Sequence, residues 1–149
     1  MKKTTLKLVE FYALDVELNG FVNPQTKEIL SKGLLQEKLP LKTKFWLSDI
    51  SKKVADVKIT TEKLREELIK KYGDVNEHGG FSIPPMKSNP DNPSELIVNP
   101  NYGLFQKEFD VLLNEEKEIE YKPFSINEFD SFETDANYPV FFKFIEEPI

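Results

Sequence analysis

The feature that most constrains this chain is the segment 39–72, an amphipathic run with apolar residues at heptad-like spacing. The intervals between those residues are 3, 4, 3, 7 and 4, and Thr61 occupies the seam position that the longest interval skips. This pattern is typical of a single long helix with one apolar stripe. Gly73 follows directly and is a common helix terminator. The stripe consists of Leu47, Ile50, Val54, Val57, Leu64 and Leu68.

The length of this predicted helix sets a second constraint. At 1.5 Å per residue, a helix over 40–72 is roughly 50 Å long, whereas a compact domain of this size is roughly 40 Å across. The helix must therefore extend beyond the body, pack against another surface, or break at residues 59–61, where three β-branched side chains lower helix propensity. The apolar stripe has to be covered, either by the protein's own short helices or by a second copy, and we expect a homo-oligomer.

Charge is distributed unevenly along the chain. The whole sequence has a net charge of −6, yet residues 39–72 hold nine Lys or Arg against five Asp or Glu. Residues 108–149 hold three Lys against twelve Asp or Glu. The long helix is thus a basic segment on an acidic protein, a layout that bears on binding partners rather than on fold.

The order of the remaining patterns predicts an α+β fold in a single domain, 1–149. A small, mostly antiparallel sheet packs with the helix over about 40–72 and with a second helix over about 100–114. Asn99 and Pro100 suit the start of that second helix. Shorter predicted pieces are a helical turn at 34–39, strands at 81–83, 96–98 and 118–122, a capping box formed by Ser125 and Glu128, and a core strand at 140–145.

Two segments admit alternative interpretations. Residues 4–18 alternate in polarity in part, which favours a strand, although a helix over 9–18 is an alternative. The segment 21–37 contains an Asn-Pro turn signal that favours a short hairpin. The alternative for that segment is a helix capped by Asn23.

Composition excludes several classes of site. The chain has no cysteine and a single histidine, His78, in a glycine-flanked loop that predicts an exposed side chain. This excludes nearly all zinc sites of familiar spacing and every cysteine nucleophile. No Walker or dinucleotide-binding pattern occurs, and no apolar run approaches the roughly 20 residues of a membrane helix. We therefore expect a cytoplasmic protein that is not an enzyme, carries no cofactor and does not enter a membrane.

The best candidate binding site lies at the N-terminal end of the basic segment. Lysine ammonium groups hold phosphate and an indole stacks on a planar base, so their combination suits a small nucleotide. An alternative is that Phe45 and Trp46 anchor the helix in the core. The single arginine of the chain, Arg65, makes nucleic acid an unfavourable partner. The predicted ligand-binding residues are Lys42, Lys44, Trp46, Lys52 and Lys53.

The acidic C-terminal part offers a second surface. A solvated face is its simplest interpretation, whereas carboxylates at regular spacing would imitate the phosphates of nucleic acid and bind a basic groove. The carboxylates concerned are Glu115, Glu116, Glu118, Glu120, Asp130, Glu133 and Asp135.

Three stretches, LPLKTKFWL, LREELIKKYGD and FQKEFDVLLNEEKEIEYKP, resemble a pattern found in small uncharacterised proteins of bacteriophages and prophages. The resemblance covers about residues 39–123 and includes no catalytic motif. It implies a viral accessory protein in the host cytoplasm that sequesters or blocks a host component, such as a nucleotide-type immune signal. The alternatives are an inhibitor that binds a host defence protein through the acidic surface, and a structural or assembly protein of the virion.

Overall fold

The computed structural model describes residues 1–129 and 138–146, and its fold is α+β, as predicted. Among these residues, helix α1 spans Leu8–Asn19, α2 spans Leu41–Tyr72 and α3 spans Pro100–Leu113. Short 3-10 helices cover Leu34–Gln36, Ile126–Phe129 and Phe141–Phe144. The predicted long and second helices are thus both confirmed.

The strands within the described residues form five separate two-stranded sheets. Their bounds are β1 Lys2–Lys7, β2 Phe21–Val22, β3 Ile29–Ser31, β4 Asp74–Val75, β5 Phe81–Ser82, β6 Met86–Asn89, β7 Asn92–Val98, β8 Glu116–Tyr121, β9 Phe124–Ser125 and β10 Ile145–Glu146. Antiparallel pairs join β1 to β8, β2 to β3, β4 to β5 and β6 to β7, whereas β9 and β10 are parallel. The predicted hairpin after residue 20 is the β2–β3 pair.

Helix α2 runs without interruption through residues 59–61, so the break considered for these β-branched residues does not occur. The stripe is buried at Leu47, Ile50 and Val54, and Thr61 is buried as well. Leu64 is exposed. Most of the predicted seam is therefore covered by this chain itself, and a second copy has no access to those residues.

Residue contacts divide the chain into two compact units. Unit 1 comprises Met1–Lys58 with Glu116–Ile149, and unit 2 comprises Ile59–Glu115. The division falls inside α2 at the β-branched residues that the sequence marks as its weakest point. Whether the chain behaves as one domain, as the sequence suggests, stays a prediction.

Unit 1 contains a dense aromatic and aliphatic core. Phe141 lies 5.4 Å from Phe124 and 5.4 Å from Phe129, measured between ring centroids, and Tyr121 meets Phe144 edge to face at 4.6 Å. Edge-to-face and tilted pairs of this kind add to the free energy of burying apolar area. The core consists of Leu6, Phe11, Leu14, Leu18, Leu34, Leu47, Ile50, Val54, Ile119, Tyr121, Phe124, Phe129, Tyr138, Phe141 and Phe144.

The strand favoured for residues 4–18 is correct only for its start. From Leu8 onward the chain is helical, and the buried residues Phe11, Leu14 and Leu18 follow the helical period of about 3.6 residues. The backbone N–H of Lys7 donates to Glu10 Oε1 at 3.0 Å, which satisfies a free donor at the start of α1. The alternative helix was therefore the right interpretation for 9–18.

The core strand predicted for residues 140–145 is wrong over most of its length. Residues Phe141–Phe144 form a 3-10 turn, which has three residues per turn. This spacing buries Phe141 and Phe144 together and leaves Phe142 exposed, an arrangement that strand alternation does not allow. Only β10 retains strand geometry in this segment.

A pair of glycines brings the β2–β3 hairpin back against the end of α1. Gly20 has a φ of 78° and its N–H donates to Val16 O at 2.7 Å. A Cβ on Gly33 would lie 2.3 Å from Gly20 N and 2.5 Å from Leu18 O. These distances forbid any side chain at position 33 without backbone movement.

Unit 2 is built from the second half of α2, from α3 and from two hairpins. Tyr72 Oη and Lys71 Nζ both donate to the Glu108 carboxylate, at 2.5 and 3.0 Å. The Arg65 guanidinium lies 6.0 Å above the Phe105 ring. Phe105, 8% exposed, is the one large apolar side chain of unit 2 that is buried, and charged and polar contacts join the two helices of this unit.

Candidate functional site

A cleft in unit 1 lies beside the first turns of α2. Its volume is about 370 Å³, which falls in the range of about 300–1,000 Å³ that small-molecule sites occupy. Side chains from α2, from the chain around β9 and from β10 line it. The lining includes Lys42, Trp46, Lys122, Phe124, Glu128 and Glu146.

Trp46 forms one wall of this cleft because α2 places it one turn after Lys42. The indole packs against the core of unit 1 and is half-buried. Its neighbour Phe45 meets it edge to face at 5.0 Å between centroids but is 63% exposed. The predicted core anchor is therefore confirmed for Trp46 and wrong for Phe45, since consecutive helical residues point about 100° apart.

Lys122 is a cleft residue that the sequence did not indicate. It follows directly after β8, and its ammonium lies 5.1 Å from the centroid of the Trp46 ring. A cation at this distance is attracted to the face of an indole. Lys122 lies 76 positions after Trp46 in the chain, and only the packing of β8 beside α2 brings the two together.

The two carboxylates of the cleft already have partners within unit 1. Glu128 Oε1 accepts from Thr43 Oγ1 at 2.8 Å, and Glu128 Oε2 accepts from the N–H of Ser125 at 2.7 Å. The second bond confirms the predicted capping box. Glu146 forms an ion pair with Lys2. The negative charges of the cleft are thus engaged by hydrogen bonds or by an opposite charge.

The two lysines of the cleft have no such partners in the part of the chain that the structure describes. No carboxylate among those residues forms an ion pair with Lys42 or Lys122. Lys42 lies in the first turn of α2, where the helix dipole also carries its positive end. The cleft thus places two lysines beside two carboxylates, of which Glu146 is matched by the charge of Lys2.

Three of the predicted site residues lie elsewhere. Lys53 Nζ donates to the carbonyl of Glu120 at 2.8 Å and pairs with Asp49 at 3.1 Å. Lys44 and Lys52 do not line the cleft, because they point about 200° and 280° around the helix from Lys42. Of the five predicted residues, the structure brings together only Lys42 and Trp46.

Lys53 borders a second cleft of about 300 Å³ in unit 1. Its lining includes the apolar side chains of Phe11, Val57 and Ile119 together with charged residues of α2 and β8. The Lys53 ammonium is bound to a backbone carbonyl and to a carboxylate, and Lys117 lines the same cleft beside Asp56, Glu118 and Glu120, so cations and carboxylates are mixed there.

Two buried carboxyl groups hold the C-terminal segment of unit 1 in place. Glu17 accepts from the N–H groups of Phe141 and Val140 at 3.0 and 3.3 Å, and burial raises the pKa of its carboxyl despite these bonds. Glu37 is 3% exposed and lies 3.6 Å from Lys32 Nζ. Burial and the nearby charges of Glu37 and Glu17 also raise the pKa of Tyr138.

The acidic strand β8 has carboxylates at regular spacing, but it shares its face with lysines. Glu116, Glu118 and Glu120 share one face of β8, and β1 places Lys7 and Lys3 opposite the first and the last of them. Lys3 Nζ also pairs with Glu118 at 3.5 Å. Three further predicted acids, Asp130, Glu133 and Asp135, lie outside the described residues.

His78 lies in the turn between β4 and β5, and its side chain is exposed, as predicted. Its backbone N–H donates to Asn76 Oδ1 at 2.9 Å, so the turn depends on the asparagine and not on the imidazole. Within 1–129 and 138–146, no three His, Asp or Glu side chains converge as metal ligands.

Among the same residues, no helix combines the length and the apolar character that crossing a bilayer requires. Comparisons of the chain with protein-family models, with curated proteins and with solved structures find no significant match.

Proposed function

We propose that this protein is a non-enzymatic binding protein that sequesters a small ligand carrying a phosphate group and a planar ring. Lys42 and Lys122 are the phosphate contacts and Trp46 is the surface on which the ring stacks. The observation that carries the proposal is the pair of lysines that form no ion pair among the described residues, beside the half-buried indole of Trp46. Ammonium groups bind the phosphate of a nucleotide and an aromatic side chain stacks on its base, and neither contact depends on which base is present.

The size of the cleft narrows the class of ligand. A volume of about 370 Å³ lies near the lower end of the small-molecule range of about 300–1,000 Å³. A mononucleotide or a cyclic mononucleotide therefore fits better than a polymer. The resemblance to phage accessory proteins supplies a biological setting in which sequestering a nucleotide-type immune signal blocks a host response.

The cleft favours binding over catalysis. Its carboxylate Glu128 holds Thr43 and the turn at Ser125, so a role as a general base would compete with two structural bonds. The hydroxyl of Ser125 in turn accepts from the N–H of Asn127 at 3.3 Å. The polar groups of the lining thus maintain its shape, and the two lysines remain available for an anion.

Intrinsic fluorescence provides a direct test because Trp46 is the only tryptophan of the chain. Titration with AMP, cyclic AMP, ADP-ribose and inorganic phosphate should quench or shift its emission for the ring-bearing ligands. The affinity should fall as salt is raised, since exposed ion pairs are screened over a Debye length of about 8 Å at physiological ionic strength. Calorimetry on the same panel measures the affinity independently.

Matched variants test whether the ligand binds at the lysines of the cleft. Lys42→Gln and Lys122→Gln should each weaken binding by roughly tenfold, the effect of losing one charge-assisted contact of about 1.5 kcal/mol. Lys52→Gln is the control because Lys52 is an exposed lysine of the same helix that does not line the cleft. Silence across the whole panel, or an equal loss in the Lys52→Gln control, would contradict the proposal.

The alternative role as an inhibitor that binds through an acidic surface receives less support from the geometry. The regular carboxylates of β8 lie opposite lysines of β1, which reduces the negative potential of that face. A capture experiment with host lysate at low and high salt distinguishes the two roles. An acidic surface would retain a basic protein at low salt and release it at high salt, whereas the cleft would retain none.

A further inference from the structure

One carboxylate in the proposed binding cleft, that of Glu128, has no cationic partner among the described residues. The other carboxylate of the lining, Glu146, forms an ion pair with Lys2. No lysine or arginine in the described part of the chain forms such a pair with Glu128. Its negative charge therefore remains in the cleft together with the charges of Lys42 and Lys122.

Two hydrogen bonds fix the position of the Glu128 carboxylate. Oε1 accepts from the hydroxyl of Thr43 at 2.8 Å, and Oε2 accepts from the backbone N–H of Ser125 at 2.7 Å. Thr43 is only 1% exposed, so its hydroxyl is held by the packed interior of unit 1. Both donors are neutral groups, which orient the carboxylate without cancelling its charge. The side chain would lose these bonds if it turned away from an anion in the cleft.

The charged groups of the lining leave a single positive charge in excess. Lys42 belongs to α2, Lys122 follows β8, Glu128 lies in the 3-10 turn after β9, and Glu146 belongs to β10. Because Lys2 matches Glu146, the two lysines of the lining face one unmatched carboxylate. A singly charged phosphate is therefore neutralised in the cleft, whereas a second negative charge would lose water without gaining a cation.

The phosphate groups of nucleotides differ in this charge. A phosphodiester, as in a cyclic nucleotide, carries one negative charge on two non-bridging oxygens, and two lysines are enough to pair with them. A terminal phosphomonoester has three such oxygens and carries nearly two negative charges at neutral pH, since its second pKa is about 6. The lining offers no third lysine for the additional oxygen, and the Glu128 carboxylate repels it.

We propose that Glu128 is a specificity-determining residue, which makes the cleft select a singly charged phosphodiester over a doubly charged phosphomonoester. This inference rests on the proposed binding function and adds to it the chemical class of the phosphate group. The repulsion between Glu128 and a ligand grows with the charge of that ligand, so it is about twice as large for a dianion as for a monoanion in the same position.

Glu128→Gln removes this charge and retains both hydrogen bonds. The amide oxygen of glutamine accepts from the Ser125 N–H, and its NH₂ group donates to Thr43 Oγ1, because a hydroxyl both donates and accepts. A change in affinity therefore reports on the charge and not on a collapsed cleft. The matched control is Glu116→Gln, since Glu116 is an exposed carboxylate of unit 1 that does not line the cleft.

Calorimetric titration with cyclic AMP and with AMP tests the proposal at about pH 7.5, where AMP is a dianion. The wild type should bind cyclic AMP more tightly than AMP. Glu128→Gln should strengthen the binding of AMP by roughly tenfold and that of cyclic AMP by about threefold, because the gain in free energy scales with ligand charge. The two ligands also differ in shape, so the decisive quantity is the change in their affinity ratio, which Glu116→Gln should leave unaltered.

The titration of AMP itself provides a second readout. AMP passes from one to two negative charges around pH 6, whereas cyclic AMP keeps one. The gain of Glu128→Gln over wild type should therefore increase for AMP between about pH 5.5 and about pH 7.5 and stay nearly constant for cyclic AMP. The single histidine of the chain, His78, does not line the cleft. A merely structural role of Glu128 would change both ligands alike at every pH.

The outcomes distinguish this inference from the binding function on which it rests. If both nucleotides bind and Glu128→Gln changes their affinities by the same factor, the selection by charge is overturned and the binding function stands. A wild type that binds AMP as tightly as cyclic AMP at about pH 7.5 would overturn the selection as well. If no nucleotide of the panel binds, both proposals are overturned.

Discussion

The two units of this protein use apolar side chains in opposite ways. Among the described residues, unit 1 buries fifteen large apolar side chains and exposes nine. Unit 2 buries one, Phe105, and also exposes nine, although it is the shorter unit. Hydrophobic burial thus stabilises unit 1, whereas hydrogen bonds and ion pairs between α2 and α3 contribute a larger share of the stability of unit 2. Exposed apolar surface in unit 2 is available for association, while in unit 1 the core rigidly supports a cleft.

Truncating one aromatic side chain in each unit should have the largest effect on the free energy of unfolding. This change also distinguishes unit 1 from unit 2 most clearly. Phe144→Ala in unit 1 should destabilise the protein by about 3–5 kcal/mol, because a fully buried ring leaves a cavity among its neighbours. Phe105→Ala in unit 2 should cost only about 2 kcal/mol, because the ring is less enclosed. Urea unfolding followed by Trp46 fluorescence reports on unit 1, and circular dichroism reports on both.

The fluorescence transition decides whether the comparison holds. Phe105→Ala should leave the Trp46 midpoint nearly unchanged while it lowers the midpoint seen by circular dichroism. If both variants lower the Trp46 midpoint by the same amount, the two units unfold as one cooperative body and the contrast between them is structural but not energetic.

Two glycine substitutions should act in opposite directions. Gly33→Ala should destabilise unit 1 by about 2–3 kcal/mol, because the new Cβ would lie 2.3 Å from a backbone nitrogen. Gly103→Ala should stabilise unit 2 by about 0.5–1 kcal/mol, because Gly103 lies inside α3 with open space around it. Thermal unfolding of both variants measures the two effects, and a destabilised Gly103→Ala would show that unit 2 is packed more tightly there than its geometry indicates.

The long helices could be predicted from the sequence, whereas the predictions were wrong for segments too short to show a clear periodicity. The seam of α2 extends over 32 residues, so its helical period is unmistakable and Gly73 marks its end. The segment 8–19 is too short to show a helical period clearly. Several of its apolar residues lie at alternate positions, which is also the pattern of a strand. At 141–144, the spacing of three between Phe141 and Phe144 fits a 3-10 turn, but a short hydrophobic segment such as VFFKFI is more often a strand.

The candidate site was predictable only in the part that one helix supplies. Lys42 and Trp46 are four residues apart, so their shared face follows from helical geometry. Lys44 was grouped with them by nearness in sequence, although it points to another side of α2. Lys122 comes from a distant segment, and no local sequence pattern predicts that β8 packs beside the start of α2.

The pH dependence of stability should have opposite signs in the two units. Burial raises the pKa of Glu17 in unit 1, so its protonated form is favoured in the folded state. Its contribution to stability is therefore fully present below the unfolded value near 4.5 and is lost as the pH rises through the raised folded pKa. Hydrogen bonds from Tyr72 and then Lys71 lower the pKa of Glu108 in unit 2.

The contribution of Glu108 is thus present above the ordinary value and is lost as the pH falls through its lowered folded pKa. Unfolding curves of wild type, Glu17→Gln and Glu108→Gln between pH 7 and about pH 3 isolate the two effects. Relative to Glu17→Gln, the wild type should gain stability on acidification, and relative to Glu108→Gln it should lose stability. The same sign for both differences would contradict the assigned pKa directions.

The smallest expected difference compares two cations of the one helix that both units share. Lys58 pairs with Asp15 at 2.8 Å and lies 5.3 Å from the Tyr12 ring, all within unit 1. Arg65 in unit 2 is 3.9 Å from Glu62. Lys58→Met should cost about 0.5–1 kcal/mol, whereas replacing Arg65 by Met, which removes its pair with Glu62, should cost less, because exposed pairs are screened.

A double-mutant cycle between Lys58 and Asp15, repeated at high salt, measures the first interaction directly. The coupling should shrink with salt but persist in part, since both groups are partly shielded by the unit 1 surface. A coupling that vanishes completely would mean that this end of unit 1 is as open to solvent as unit 2. The dense packing of unit 1 would then stop short of the last turn of α2 that belongs to it.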